Sequence, residues 1–149
     1  KKSMRMMALD LGSKTIGVAV SDELGMTAQG LKTIKRKTMK EDLVELLRII
    51  DQYGIERIVI GLPKNMNGTL GEQAEKVIHW VDRIKGEIPV PIETWDERFS
   101  TVEASRRLLE ADVSRKKRKR VIDKLAAVII LQGYLQQFRS HNHDASAPT

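Results

Sequence analysis

The stretch "MALDLGSKTIGVAVSD", Met7 to Asp22, holds two apolar runs joined by "GSK". Ile16, Val18 and Val20 alternate with smaller residues, which predicts a strand over Thr15–Ser21 paired with one over Met6–Leu11. Within the first run stands a carboxylate, Asp10. An unpaired charge is costly among residues bound for a core, so Asp10 asks for a partner. An Asp that binds backbone amides before a turn is the structural alternative.

Outward from this hairpin the period changes. Thr27–Ile34 completes a meander of three strands. Thr38 with Glu41 has the spacing of a capping box, and Leu43, Leu46, Leu47 and Ile50 recur at helical spacing up to Gly54. "RIVIGLP" is a continuous apolar strand of the buried parallel type. A helix from about Leu70 to Lys85 follows, then a strand ending near Trp95. Ser100 and Glu103 open another helix. A last helix is expected from about Arg118 to Phe138. The order βββαβαβαα predicts an α/β fold, a mixed five-stranded sheet flanked by helices. One domain over residues 4–139 is expected, with a natural start at Met4 and a polar, disordered tail over 140–149.

The chain has 149 residues and a net charge of +6, with no cysteine. Disulfides and thiolate metal sites are excluded, and a cytoplasmic protein is expected. No apolar run spans a membrane and no signal-peptide pattern opens the chain. Arg115, Lys116, Lys117, Arg118, Lys119 and Arg120 form an unbroken basic run, without which 20 basic residues (26 less 6) face 20 acidic ones. A polyanion such as nucleic acid is the expected partner.

Asp10, the "DER" of Asp96–Arg98, and Asp123 in "VIDKLAAVIIL" are the candidate carboxylates. If the ends of the first and fifth strands lie side by side, the last helix can present Asp123 across them. Such a cluster repels itself unless a divalent cation offsets it, and Mg²⁺ takes hard oxygen ligands of this kind. Cation-assisted hydrolysis of a phosphodiester follows as the expected chemistry. Each residue alone has a plainer reading: a turn, a solvated loop, a charge near a helix start. The combination favours the site. Lys64 and Asn65 in "GLPKNMNG" follow a strand end and are candidate phosphate contacts. His79 reads as a packed or half-exposed helix residue, and His141 and His143 as part of the tail.

Four blocks in order resemble the YqgF family, also called RuvX, of the ribonuclease-H-like superfamily. They are "LDLGSKTIGVAVSD" (Leu9–Asp22), "GLPKNMNG" (Gly61–Gly68), "WDERFST" (Trp95–Thr101) and "DVSRKKRKRVIDKLAAVIILQGYL" (Asp112–Leu135). The resemblance implies a ribonuclease-H-like fold and a metal-dependent nuclease maturing the 5′ end of precursor 16S rRNA. It places the catalytic and metal-binding carboxylates on Asp10, Glu97 and Asp123, which chooses Glu97 over Asp96. The implied cofactor is Mg²⁺ or Mn²⁺, as one or two ions. Lys14, Arg98 and the 115–120 run would hold RNA. Ala126 stands where related resolvases carry a further aspartate, and Thr15 where an arginine often follows Lys14. Three alternatives stand beside this reading: a Holliday junction resolvase acting on DNA, a non-catalytic RNA-binding assembly factor, and an actin-like ATPase, for which one domain of this size is too small. A monomer or weak dimer is expected.

Overall fold

The hairpin forms as the alternation predicts. In the computed structural model, which describes residues 5–99 and 124–138, β1 (Met6–Leu11) and β2 (Thr15–Ser21) pair antiparallel, with Asp10 opposite Gly17. β3 (Ala28–Lys35) adds to β2 antiparallel. β4 (Arg57–Leu62) and β5 (Ile92–Asp96) then extend the sheet in parallel, giving the order β3-β2-β1-β4-β5.

This order corrects one expectation. The ends of β1 and β5 are not side by side, because β4 lies between them. The reason is edge availability. β2 occupies one edge of β1, so β4, paired with β1, lies on the other. β5 then takes the outer edge of β4.

Helix α1 (Met39–Tyr53) starts where its capping residues stand: Thr38 Oγ1 accepts from the Glu41 amide at 3.1 Å. It stops at Gly54, whose φ of 63° is the left-handed conformation that glycine adopts without a Cβ clash. Helix α2 (Glu72–Ile84) starts two residues later than the apolar pattern suggests. Both helices cover one face of the sheet. There Leu9, Ile16, Val18, Ile58 and Ile60 pack with Leu46, Ile49, Val77, Trp80 and Ile84. Each such side chain, fully buried, contributes roughly 1.5–3 kcal/mol.

The opposite face is covered by a helix over residues 124–138, α3. Its Ala126, Ala127, Ile130 and Leu131 meet Met6, Ala8, Ala19 and Val59. The small residues on both sides bring helix and sheet close. Among the described residues, no helix is long and apolar enough to cross a membrane.

Candidate active site

Strand alternation decides where Asp10 points. Met7, Leu9 and Leu11 belong to the α1/α2 core, and Met6 and Ala8 to the α3 core. Asp10 is therefore on the α3 face, and it is only 5% exposed.

Next to it is a residue without a side chain. The parallel β1–β4 register runs to Leu9–Ile60, so Gly61 follows one step on, beside Asp10. One strand spacing, about 4.8 Å, separates the two backbones. The place where a Gly61 side chain would stand is filled. A Cβ there would lie 2.7 Å from Glu97 Oε2 and 2.5 Å from Ile130 Cδ1. Both distances are too short for a real Cβ, so glycine at 61 is what lets the Glu97 carboxylate and α3 descend on the sheet. Glu97 opens the short 3₁₀ turn Glu97–Phe99 that follows β5. It thus spans the intervening β4 toward Asp10.

Asp96 turns elsewhere. Arg98 grips it in a fork, with Nη2 to Oδ2 at 2.7 Å and Nε to both oxygens at 3.1 Å. The Arg98 amide also donates to Asp96 Oδ1 at 3.0 Å, and Lys64 Nζ stands 3.9 Å from Oδ2. These contacts, led by the Arg98 side chain, hold the Asp96 carboxyl below its ordinary range, and Arg98 is raised in return. The two neighbouring acids turn different ways: Asp96 anchors the turn that carries Glu97.

Arg98 Nη1 reaches the Met66 carbonyl at 3.3 Å and so joins this turn to the loop after β4. That loop is closed by Asn65, whose Nδ2 donates to Thr69 Oγ1 at 3.0 Å and whose carbonyl accepts from the Gly68 amide at 2.8 Å. Lys64 is half-buried, while Lys14 projects from the hairpin turn into solvent. Asn65 and Arg98 serve the loop's architecture while remaining on the surface.

Helix α3 lies across the strands. Lys124 packs on Gly30 of β3, where a Cβ would meet its Cε at 2.6 Å, and Ile130 sits over Gly61 of β4. At β5, Tyr134 donates to Glu93 Oε2 at 2.6 Å, and Arg57 Nη1 bonds both Glu93 (2.6 Å) and Tyr134 (3.0 Å). Burial, helped by Glu93, pushes the Tyr134 phenol up to about 12. Trp95 meets Tyr134 edge-on at 6.2 Å.

The family model described as "RuvX: Holliday junction resolvase" matches residues 4–137. The chain belongs to the RuvX family. A relative from Clostridioides difficile (strain 630) is 65% identical over 131 residues, 88% of this chain and 93% of the relative. One from Desulforamulus reducens is 60% identical over 132 residues, 89% of this chain and 96% of the relative. Both carry the name "Putative pre-16S rRNA nuclease". The fold is that of RuvC resolvases: the Thermus thermophilus enzyme, in complex with a Holliday junction, superposes with a TM-score of 0.55 at 14% identity, covering 91% of this chain and 96% of that one.

For this RuvX chain, two of the three expected carboxylates flank Gly61: Asp10 stands beside it on β1, and Glu97 Oε2 lies over it. Asp123, the basic run 115–120 and the helix expected after Ser100 lie outside the described residues. Among the described residues no group of three His, Cys, Asp or Glu side chains forms a metal cluster. Ala126, three residues beyond Asp123 in the chain, is 2% exposed in the α3 core, a place that suits a methyl group. His79 is exposed on α2.

Two features escape a reading by residue type alone. One is Gly61, although a glycine inside "RIVIGLP" signals close approach to a strand. The other is Arg36. Its Nη1 donates to the Gly12 carbonyl at 2.6 Å and its amide to the Lys14 carbonyl at 2.8 Å, clamping the turn that follows Asp10. Arg36 belongs to a second basic stretch (Lys32, Lys35, Arg36, Lys37, Lys40), hidden in a balanced total because acids elsewhere cancel it.

Proposed function

We propose that this RuvX protein is a metal-dependent nuclease that hydrolyses phosphodiester bonds in structured RNA, processing the 5′ end of precursor 16S rRNA in the cytoplasm. The observation that carries the proposal is the Glu97 carboxylate, seated in the space of the absent Gly61 side chain beside the buried Asp10.

The donor set fits a hard divalent cation. Two carboxylates brought close in a largely apolar setting repel unless a positive charge joins them, and both offer oxygen ligands of the kind Mg²⁺ and Mn²⁺ take. Asp10 and Glu97 would hold the ion with Asp123, which is the chain neighbour of the sheet-packed Lys124. The cation, when bound, would supply Lewis acidity that activates a water and stabilises the leaving oxygen. The rest belongs to the protein. Strands β1 and β4 fix the carboxylates on a rigid floor, and Asp96 with Arg98 fixes the turn that carries Glu97. Lys14, Lys64 and the 115–120 run offer positive charge to the phosphates. Such contacts give affinity and register with little sequence choice, so selection falls to RNA shape.

The name of the curated relatives supports RNA as the substrate. The likeness to a RuvC–junction complex supports the fold alone. A parallel assay separates the readings. Precursor 16S rRNA and a four-way DNA junction are each incubated with Mg²⁺ or with EDTA, using the wild type and Asp123→Asn. Metal-dependent cleavage of the RNA, lost in the variant, is the expected result. Cleavage of the junction alone would make the protein a resolvase. RNA binding with no cleavage under any condition would make it an assembly factor.

A further inference from the structure

On the other face of the sheet, at the same end as Asp10, a cavity of about 390 Å³ opens between the β1–β2 turn and α2. Its volume is within the range of small-ligand sites. Its wall includes Ser13, Arg36, Lys76, His79, Trp80 and Arg83, and among the described residues no acidic one lines it. Lys76, Trp80 and Arg83 follow at helical spacing, so one face of α2 presents two cations on either side of an indole. Arg36 reaches in from the β3 side and uses Nη1 on Gly12, which leaves further N–H groups of its fork. Trp80 is 3% exposed, and its buried indole N–H has no acceptor among the described residues.

We propose that this cavity binds a phosphate of the same nucleic-acid strand that the carboxylates cut, a short step along the backbone from the cleaved bond. The inference rests on the nuclease reading for its choice of ligand. The geometry supports it in two ways. Asp10 and Ser13 are three residues apart, so the Cα of the rim residue Ser13 lies within about 11 Å of the Asp10 Cα. The Gly12–Lys14 turn lies between them in the chain, and Lys14 in it is an exposed cation. A larger cavity of about 590 Å³ between β3 and α1 also has several lysines, but Glu41, Asp42 and Glu45 line it too. Glu45 already binds Lys32 there at 2.7 Å. At the α2 cavity, among the described residues, Glu72 stands 3.7 Å from Lys76, and both are exposed.

The two tryptophans of the chain make a direct readout. The indole N–H signals of ¹⁵N-labelled protein are followed in EDTA, first with inorganic phosphate and then with a short single-stranded RNA. Both probes are expected to move the Trp80 signal. Lys76→Gln with Arg83→Gln, on exposed positions, removes the phosphate response. It weakens RNA binding about tenfold and lowers the slope of log K against log salt by about 0.7, one phosphate on a single strand. RNA binding with unchanged affinity and slope in the double variant overturns the proposal. A response to inorganic phosphate but none to RNA also overturns it, and gives the cavity to a free phosphate compound. Cleavage plays no part in these readouts, so a protein that binds RNA here yet cuts nothing refutes the nuclease reading, whereas one that cuts RNA with the cavity silent refutes only this inference.

Discussion

Glu97 occupies the space that a side chain at Gly61 would fill, with Oε2 only 2.7 Å from the missing Cβ position. The carboxylate of one strand's end is thereby carried across its neighbour toward the carboxylate of the next. A residue without a side chain is as much a part of this site as the residues with charges.

Gly61→Ala tests that relationship. Its methyl group meets Glu97 Oε2 and Ile130 Cδ1, and the Ile130 end is held in a packed core. We expect a loss of stability of about 1–3 kcal/mol, typical of overpacking, read by urea denaturation. Cleavage should fall about 100-fold under conditions where the variant is folded, because displacement of a catalytic group by about an ångström has that effect.

Asp96→Asn removes the charge that Arg98 grips. The wild-type protein should melt a few degrees higher than the variant at pH 7. The direction of the pH dependence follows from the lowered carboxyl: its stabilisation is fully present above the ordinary value of 3.8 and is lost as pH falls through the still lower folded value. The gap between the two melting curves should therefore persist from pH 7 to about pH 4 and close below it. A gap that widens on acidification would refute the assignment.

Tyr134→Phe deletes the hydroxyl that joins α3 to Glu93 and Arg57 on the sheet. The loss should be about 1 kcal/mol, the net worth of a typical hydrogen bond. A phenol pushed up to about 12 keeps its proton in the folded state after the unfolded chain, at 10.0, has released it. Wild-type stability should fall between pH 10 and pH 12. The variant should lack this part of the decline, seen by chemical denaturation across that range.

Much of the fold was legible because it rests on local rules. The β1–β2 hairpin followed from alternation, and α1 from Thr38 and Gly54 at its ends. Strand order was less accessible. Nothing in "RIVIGLP" says whether it takes the free edge of β1 or that of β3, and its place beside β1 put β4 between Asp10 and Glu97. The choice between Asp96 and Glu97 was likewise beyond spacing, since adjacent acids differ only in where their side chains turn. In the fold Arg98 holds Asp96, while Glu97 turns over Gly61. Arg36 and the α2 cavity were hidden for a related reason: their charges come from separate segments that only the fold assembles.

The most direct measurement of the central claim is a double-mutant cycle on RNA cleavage with Asp10→Asn, Glu97→Gln and the pair. Residues that hold one ion act as a unit, so each single change should cost about 100-fold or more and the double change little beyond either. Independent, multiplying losses, or a single variant that cuts at the wild-type rate, would show that the two carboxylates do not share a cation.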